Sequence, residues 1–330
     1  MENAQFVVEP SNAICAINCK SSDLLDQSPH PVEPISEPLH RLLSSSLSAG
    51  TQRAYAADLR HFRASDRDIP CSAHSLAEYL ADLAATHATA TIQRRLAAVG
   101  KAHRALGHDD PCKAEIVRAT MSGIRRSKGM AQQEVQALQR DSLFAVLERM
   151  GDRPIDIRDR ALLLVGFAGA FRRSELVGFD YGDVEHVGRG IVLHLRRSKT
   201  DQTGQGRKIA IPHGRTRWCP VRHLADWLTI AGIEQGPLFR SIDRHGHISP
   251  NRLSGDAIAV IIKRRVEAAG FDPVTFSGHS LRAGLATSAA MAGASPWKIR
   301  QQTGHKSDAM LARYIRSSDL FADNAAGVVL

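Results

Sequence analysis

The chain has 330 residues, 43% of them hydrophobic, and a formal net charge of +9. That length predicts more than one compact domain, and the composition excludes wholesale disorder. No run of about 18 apolar residues occurs, which excludes a helical membrane span; with no basic-then-apolar secretion signal at the N-terminus, a cytoplasmic protein is expected.

Taken in chain order, residues 1–35 set Glu2, Glu9, Asp23, Asp26 and Glu33 against Lys20, a net −4 that leaves +13 on the remainder. A body so basic is expected to attract a polyanion, most commonly nucleic acid. Residues 1–40 also hold five of the fourteen prolines and no sustained periodicity, and read as a flexible acidic arm rather than a domain. The five cysteines (Cys15, Cys19, Cys71, Cys112 and Cys219) are scattered and odd in number, so reduced thiols are expected. Neither Cys15 with Cys19 nor His245 with His247 has the spacing of a structural zinc module, and no metal is expected.

Residues 41–127 read as a helical domain of four helices. Tyr55, Leu59 and Phe62 repeat at helical spacing behind a Thr51 cap. Ser75 with Glu78 forms a capping box before Leu76, Tyr79, Leu80 and Leu83. Ile92, Leu96, Val99 and Leu106 mark a third helix ending at Gly107, with Arg94, Arg95, Lys101 and Arg104 off its apolar stripe. Asp110-Pro111 then starts a fourth helix. By pattern alone these basic faces suit solvated surface and DNA contact equally. The stripe fades from Arg125 and Arg126 onward, so a linker is assigned to 128–137, running near DNA if both domains grip it.

The second domain, 138–330, opens with helices after Asp141 and at about 156–169. The period then switches to two: Ile191, Leu193 and Leu195 alternate with Val192, His194 and Arg196, and Lys208 to Ile211 alternate again after a Gly-rich turn. This predicts a β-hairpin with Lys199 near its tip. The rest is expected to be helical, over 220–230 and over 254–269, the latter carrying Lys263, Arg264 and Arg265 in succession.

Three short motifs carry the chemistry. Gly169 to Leu176 runs from an apolar helix across a bend into Arg172 and Glu175, either as an ordinary helix-start ion pair or as a glutamate orienting an arginine towards a ligand anion. His279 and Arg282 share one face of a helix's first turn, where unpaired N–H groups already favour an anion. Ser295-Pro296 begins a helix that Gly304 ends, placing His305 just after it, and Ser307 can cap the helix that bears Tyr314, nine residues past His305.

In that order and at those intervals, Arg172 within Ala-Phe-Arg-Arg-Ser-Glu-Leu, Lys199, His279-Ser-Leu-Arg282, Gly304-His305 and Tyr314 resemble the tyrosine recombinase (phage integrase) family in its simple two-domain Cre-like and Xer-like form. The Thr51, Tyr55, Asp58, Leu59, Phe62 stretch resembles the opening helix of that family's core-binding domain, so the likeness covers roughly 40–320. It implies a mainly α fold: a four-helix core-binding domain and a mixed α+β catalytic domain with a small antiparallel sheet, closing as a C-shaped clamp on double-stranded DNA. It implies Tyr314 as nucleophile forming a 3′-phosphotyrosyl intermediate, Arg172, Arg282 and His305 holding the phosphate, and Glu175 supporting Arg172. His279 becomes the proton acceptor and Lys199 the general acid. Because the tyrosyl ester stores the bond energy, no cofactor is expected. The resemblance further implies a homotetramer on two duplexes with specific recombination sites, a nucleoid-associated protein of bacterial or phage type, and a tail around Leu320 and Phe321 that docks on a neighbouring subunit. Arg94, Arg95, Lys101, Arg104, Arg125, Arg126, Lys263, Arg264 and Arg265 are candidate DNA contacts. Met310, Leu311 and Thr303 depart from the family's usual pattern near the nucleophile. A non-catalytic DNA-binding regulator and a relaxing enzyme of type IB topoisomerase kind are the competing readings.

Overall fold

The computed structural model describes residues 46–129, 135–196 and 206–305. The acidic arm, Lys199, Ser307, Tyr314 and the tail at Leu320 and Phe321 lie outside the described residues. The chain divides into two compact units, residues 1–132 and 133–330. Among the described residues no helix is long and apolar enough to cross a membrane.

The first unit is helical, with α1 over Ala49–Arg63, α2 over Ala73–Thr86, α3 over Thr89–Ala105 and α4 over Glu115–Lys128. Its core is one cluster that includes Leu59, Phe62, Leu76, Tyr79, Leu80, Ile92, Val99, Val117, Met121 and Ile124. The expected caps are each three residues late. Ser48, not Thr51, caps α1 and accepts the Thr51 N–H; Ser72, not Ser75, caps α2 and accepts the Ser75 N–H. The first large apolar residue on the core lies past the helix start in each case, Tyr55 in α1 and Leu76 in α2, so the stripe starts after the helix does.

Asp110-Pro111 does not open the fourth helix. It forms a single 3-10 turn over Pro111–Lys113, with Asp110 accepting the Cys112 N–H, and α4 begins at Glu115. Gly100 lets this turn press against α3, because a Cβ there would meet Cys112 Sγ at 2.7 Å. The two ends of the expected linker, 128–137, are described. Its first residue, Lys128, ends α4 before Gly129 at φ 70°, and Gln136 donates its N–H to Thr275 O at 2.8 Å. Leu138 is fully buried in the second unit's core.

The second unit is mixed. Helices α5 over Arg140–Glu148 and α6 over Pro154–Ala168 lead to a short α7, Arg173–Leu176. A three-stranded antiparallel sheet follows, in the order β1 (Val184–Val187), β2 (Gly190–Leu195), β3 (Arg207–Pro212). The β2–β3 register pairs Leu193 with Ile209 and Ile191 with Ile211, so these residues share the buried face. Then come α8 (Pro220–Ile230), β4 (Arg240–Ile242), β5 (Ile248–Arg252), α9 (Gly255–Ala268), α10 (Ser280–Met291) and α11 (Pro296–Thr303). The hairpin of β4 and β5 and the strand β1 correct the expectation that everything outside β2 and β3 is helical. These strands are too short, and too poor in buried residues, to show a period of two. His245 and His247 belong to the β4–β5 turn, where the Asp243 carboxylate accepts both of their backbone N–H groups at 2.8 and 3.0 Å.

Asp159 on α6 is wholly buried and ties α6 to α9. It accepts from Arg158 at 2.6 Å, Arg264 at 2.9 Å and Arg265 at 2.6 Å, while Asp156 takes a further Arg265 contact at 2.7 Å. Removing one partner of such a cluster strands the others without compensation. Asp159→Ala is expected to destabilise the folded chain by about 3–5 kcal/mol in urea unfolding; a loss below about 1 kcal/mol, the range of surface pairs, refutes this account of the α6–α9 contact.

Candidate active site

The site is built at the place where α6 ends. Ala170 is fully buried at φ 49°, and Gly169 before it must lack a side chain because a Cβ would fall 1.9 Å from the Phe171 ring. Phe171 packs edge-on against Phe179, with centroids 4.9 Å apart, which anchors the bend. The next residue, Arg172, caps α7. Glu175, also buried, accepts the Arg172 backbone N–H at 3.0 Å and its Nη1 at 2.5 Å. One carboxylate therefore closes the first turn of α7 and pairs with the Arg172 guanidinium, an i,i+3 helix-start pair that is largely out of solvent.

His279 is the N-cap of α10, and its backbone N–H donates to Ser277 Oγ at 3.1 Å. Arg282, three residues on, is wholly buried and donates Nη1 to Ala170 O at 2.9 Å. Two glycines permit this packing: a Cβ on Gly166 would meet Leu281 Cδ1 at 2.8 Å, and one on Gly284 would meet Leu138 O at 1.9 Å. At the end of α11, Gly304 adopts φ 69°, ψ 35°, and its N–H donates to Arg300 O at 2.7 Å. This left-handed corner turns His305 inward, where it is 5% exposed.

Arg207, the first residue of β3, was missed in the sequence. Its Nη1 donates to Gln301 O at 3.0 Å and Gln302 O at 3.3 Å, on the electronegative end of α11. A Cβ on Gly304 would sit 2.5 Å from the same nitrogen. Gln302 Nε2 in turn donates to Ala168 O and Ala210 O, joining α6, β3 and α11. The signal available in the sequence was only a charged residue where a hairpin re-enters the sheet, and many hairpins have one.

The electrostatics follow from this crowding. His305 is pushed down to about 4, first by burial and then by Arg282, Arg172, His279 and Arg207. Burial also pulls Arg207 below the usual arginine value, with Glu175 opposing and Arg172 adding to the effect. Arg172, Arg207, Arg282, His279 and His305 thus converge from four segments of the second unit. Such a cluster suits an oxyanion that accepts several charge-assisted hydrogen bonds at once.

The basic residues expected on DNA divide. Arg125 and Arg126 on α4 and Lys263 on α9 are exposed. Arg94 chelates Asp58 at 2.8 and 2.9 Å, with its side chain about half exposed, and Arg104 pairs with Asp110. Lys101 is half-buried on α3. Arg95 and Arg265 are directed inward, Arg95 to His61 at 2.9 Å and Arg265 to the Asp159 cluster. For these two the charge run conceals a structural task. Arg264 shares it, since its Nη2 also holds Asp159.

The phage integrase family model matches residues 101–320. The chain belongs to the phage integrase family. An integrase/recombinase xerD homolog of Selenomonas ruminantium is 39% identical over 305 residues, 89% of each chain. The fold is also that of the XerH site-specific recombinase bound to palindromic difH substrate in a post-cleavage complex, with a TM-score of 0.62, 17% identity, and coverage of 86% of this chain and 81% of that one. A lambda integrase tetramer bound to a Holliday junction gives a TM-score of 0.59 at 18% identity, covering 87% and 82%. Members of the phage integrase family of this kind, the tyrosine recombinases, are site-specific DNA strand-exchange enzymes, and this chain is one of them.

The neutral state of His305 has a measurable consequence. As pH falls from the ordinary histidine value of 6.5 towards about 4, the unfolded chain binds this proton and the folded one does not. The group's contribution is whole above that window and is lost as pH falls through it. His305→Gln is therefore expected to lose less Tm than the wild type between neutral pH and about pH 5; equal losses in both proteins contradict the assignment.

Proposed function

We propose that this recombinase cleaves and rejoins double-stranded DNA through a 3′-phosphotyrosyl bond to Tyr314. The observation that carries the reading is the convergence of Arg172, Arg282 and His305 in one buried cationic cluster, with Glu175 aiming Arg172. A free tyrosine has a pKa of about 10 and loses its proton as it attacks phosphorus. His279, at the N-cap of α10, accepts that proton. Negative charge gathering on the non-bridging oxygens is met by the two guanidinium groups and by His305. Lys199, on the segment between β2 and β3, protonates the departing 5′-hydroxyl. The tyrosyl ester keeps the energy of the broken phosphodiester, so rejoining by a 5′-hydroxyl needs neither ATP nor a metal.

The partner is duplex DNA bearing specific recombination sites, with Arg125, Arg126 and Lys263 available for phosphate contacts. Strand exchange between two duplexes calls for a homotetramer, as in the lambda integrase tetramer bound to a Holliday junction. Domain limits of 41–127 and 138–330, with the linker 128–137 between them, accompany this reading.

Incubation with a nicked target duplex is expected to yield a denaturation-resistant protein–DNA adduct, lost in Tyr314→Phe. An adduct that persists in that variant removes Tyr314 as nucleophile. Arg172→Ala and Arg282→Ala are each expected to slow adduct formation by about 10²–10³-fold, with the loss in the chemical step; a variant that merely binds DNA more weakly, rescued by lower salt, indicates a binding role instead.

A further inference from the structure

Thr303 adjoins the site and has no part in the chemistry above. Its side chain is fully buried at the end of α11. The hydroxyl lies 2.8 Å from Ile299 O and 2.9 Å from His305 Nδ1, with a longer contact of 3.5 Å to Arg300 O. A hydroxyl has one proton to give, and a carbonyl oxygen has none. Two oxygens held at 2.8 Å require a hydrogen between them, so Oγ1 donates to Ile299 and must accept from its other neighbour. Nδ1 of His305 is therefore the nitrogen that bears the proton, and in the neutral ring Nε2 holds the lone pair.

The groups that act on this ring are Arg282 and His279 from α10, Arg172 from the start of α7, and Arg207 from β3. All oppose a second proton while no anion is present, which keeps the resting ring neutral. A phosphate among these cations removes much of that opposition.

We propose that Thr303 is a positioning residue that fixes the His305 proton on Nδ1, so that the ring donates to a phosphoryl oxygen only after Nε2 takes up a proton from solvent as the phosphate binds. The uptake rests on the strand-transfer reading of the site; the tautomer is a property of the protein alone. Thr303 thereby makes a full donor set conditional on the substrate's charge. A ring with its proton on Nε2 would donate without that condition.

The two parts are tested separately on the full-length chain. With ¹⁵N-labelled histidine rings, the His305 signals are those lost in His305→Gln. Without DNA at neutral pH, the wild type and Thr303→Ser are expected to show a protonated Nδ1 and an unprotonated Nε2. Thr303→Val, which offers no acceptor, is expected to move the proton to Nε2. A wild-type ring protonated on Nε2 overturns the proposal, as does an unchanged tautomer in Thr303→Val. Should the valine variant fail to fold, the wild-type and serine spectra decide.

Adduct formation on a nicked duplex then tests the uptake. Above the pKa of the phosphate-bound ring, the ratio of wild-type to Thr303→Val rates is expected to fall about tenfold per pH unit. A ratio flat in pH overturns the uptake. An absence of adduct in every protein instead refutes the strand-transfer reading and leaves the tautomer result standing.

Discussion

Three guanidinium groups and two imidazoles crowd one region of the second unit, where the buried carboxylate of Glu175 is bonded to Arg172. Taking these groups out of water is unfavourable, and burial is the first cause of the depressed values of Arg207 and His305, with neighbouring cations adding to it at His305. More carboxylates would relieve the repulsion, but they would also cancel the field that an incoming phosphate needs. The chain uses carbonyl dipoles instead. Ala170 O holds Arg282, and Gln301 O and Gln302 O hold Arg207. A carbonyl satisfies the donor without neutralising the cation, so the cluster retains a net charge for its substrate.

That choice dictates the backbone around the site. A carbonyl can face a buried guanidinium only if the chain turns there, and Ala170 makes the turn at φ 49°. For a residue with a Cβ this conformation costs about 1–2 kcal/mol, and it persists because Phe171 on one side and Arg282 on the other hold it. Gly304 makes the corresponding corner at the end of α11, and its missing Cβ leaves room for Arg207. Gly166 and Gly284 bring α10 close enough to α6 and to Leu138 for Arg282 to reach Ala170. The glycines at the site are thus conditions of the electrostatics as much as of the packing.

What the sequence disclosed follows the same physics. The helices at 220–230 and 254–269 were legible because their apolar faces repeat over three or more turns, and β2 with β3 because Ile and Leu alternate on one buried face. The motif residues Arg172, His279, Arg282 and His305 were legible as ordered short patterns, and the fold brings them together. Ser48 and Ser72 were not, since a cap is defined by backbone geometry one turn ahead of the apolar stripe. Lys263, Arg264 and Arg265 look alike in the sequence, and only Asp156 and Asp159, over a hundred positions away, distinguish them, drawing Arg265 inward and holding Arg264 as well. Arg207 was invisible for a related reason: its partners are carbonyls, which every residue type supplies.

Arg207 also bears on how the proposed general acid, Lys199, can act in step with the cluster. It is paired with Leu195 across the β2–β3 ladder, so these two residues flank the segment that contains Lys199. The same side chain grips the last carbonyls of α11, next to the corner that sets His305. A displacement of the β3 end would therefore pull on the Gly304 turn, and a displacement of His305 would be felt where the Lys199 segment rejoins the sheet. In the reaction we propose, a lysine at that position approaches the leaving oxygen while His305 and the arginines hold the same phosphate. On that proposal, anchoring both to one guanidinium gives the proton donor and the oxyanion donors a shared frame, although Lys199 and His305 lie about a hundred residues apart in sequence.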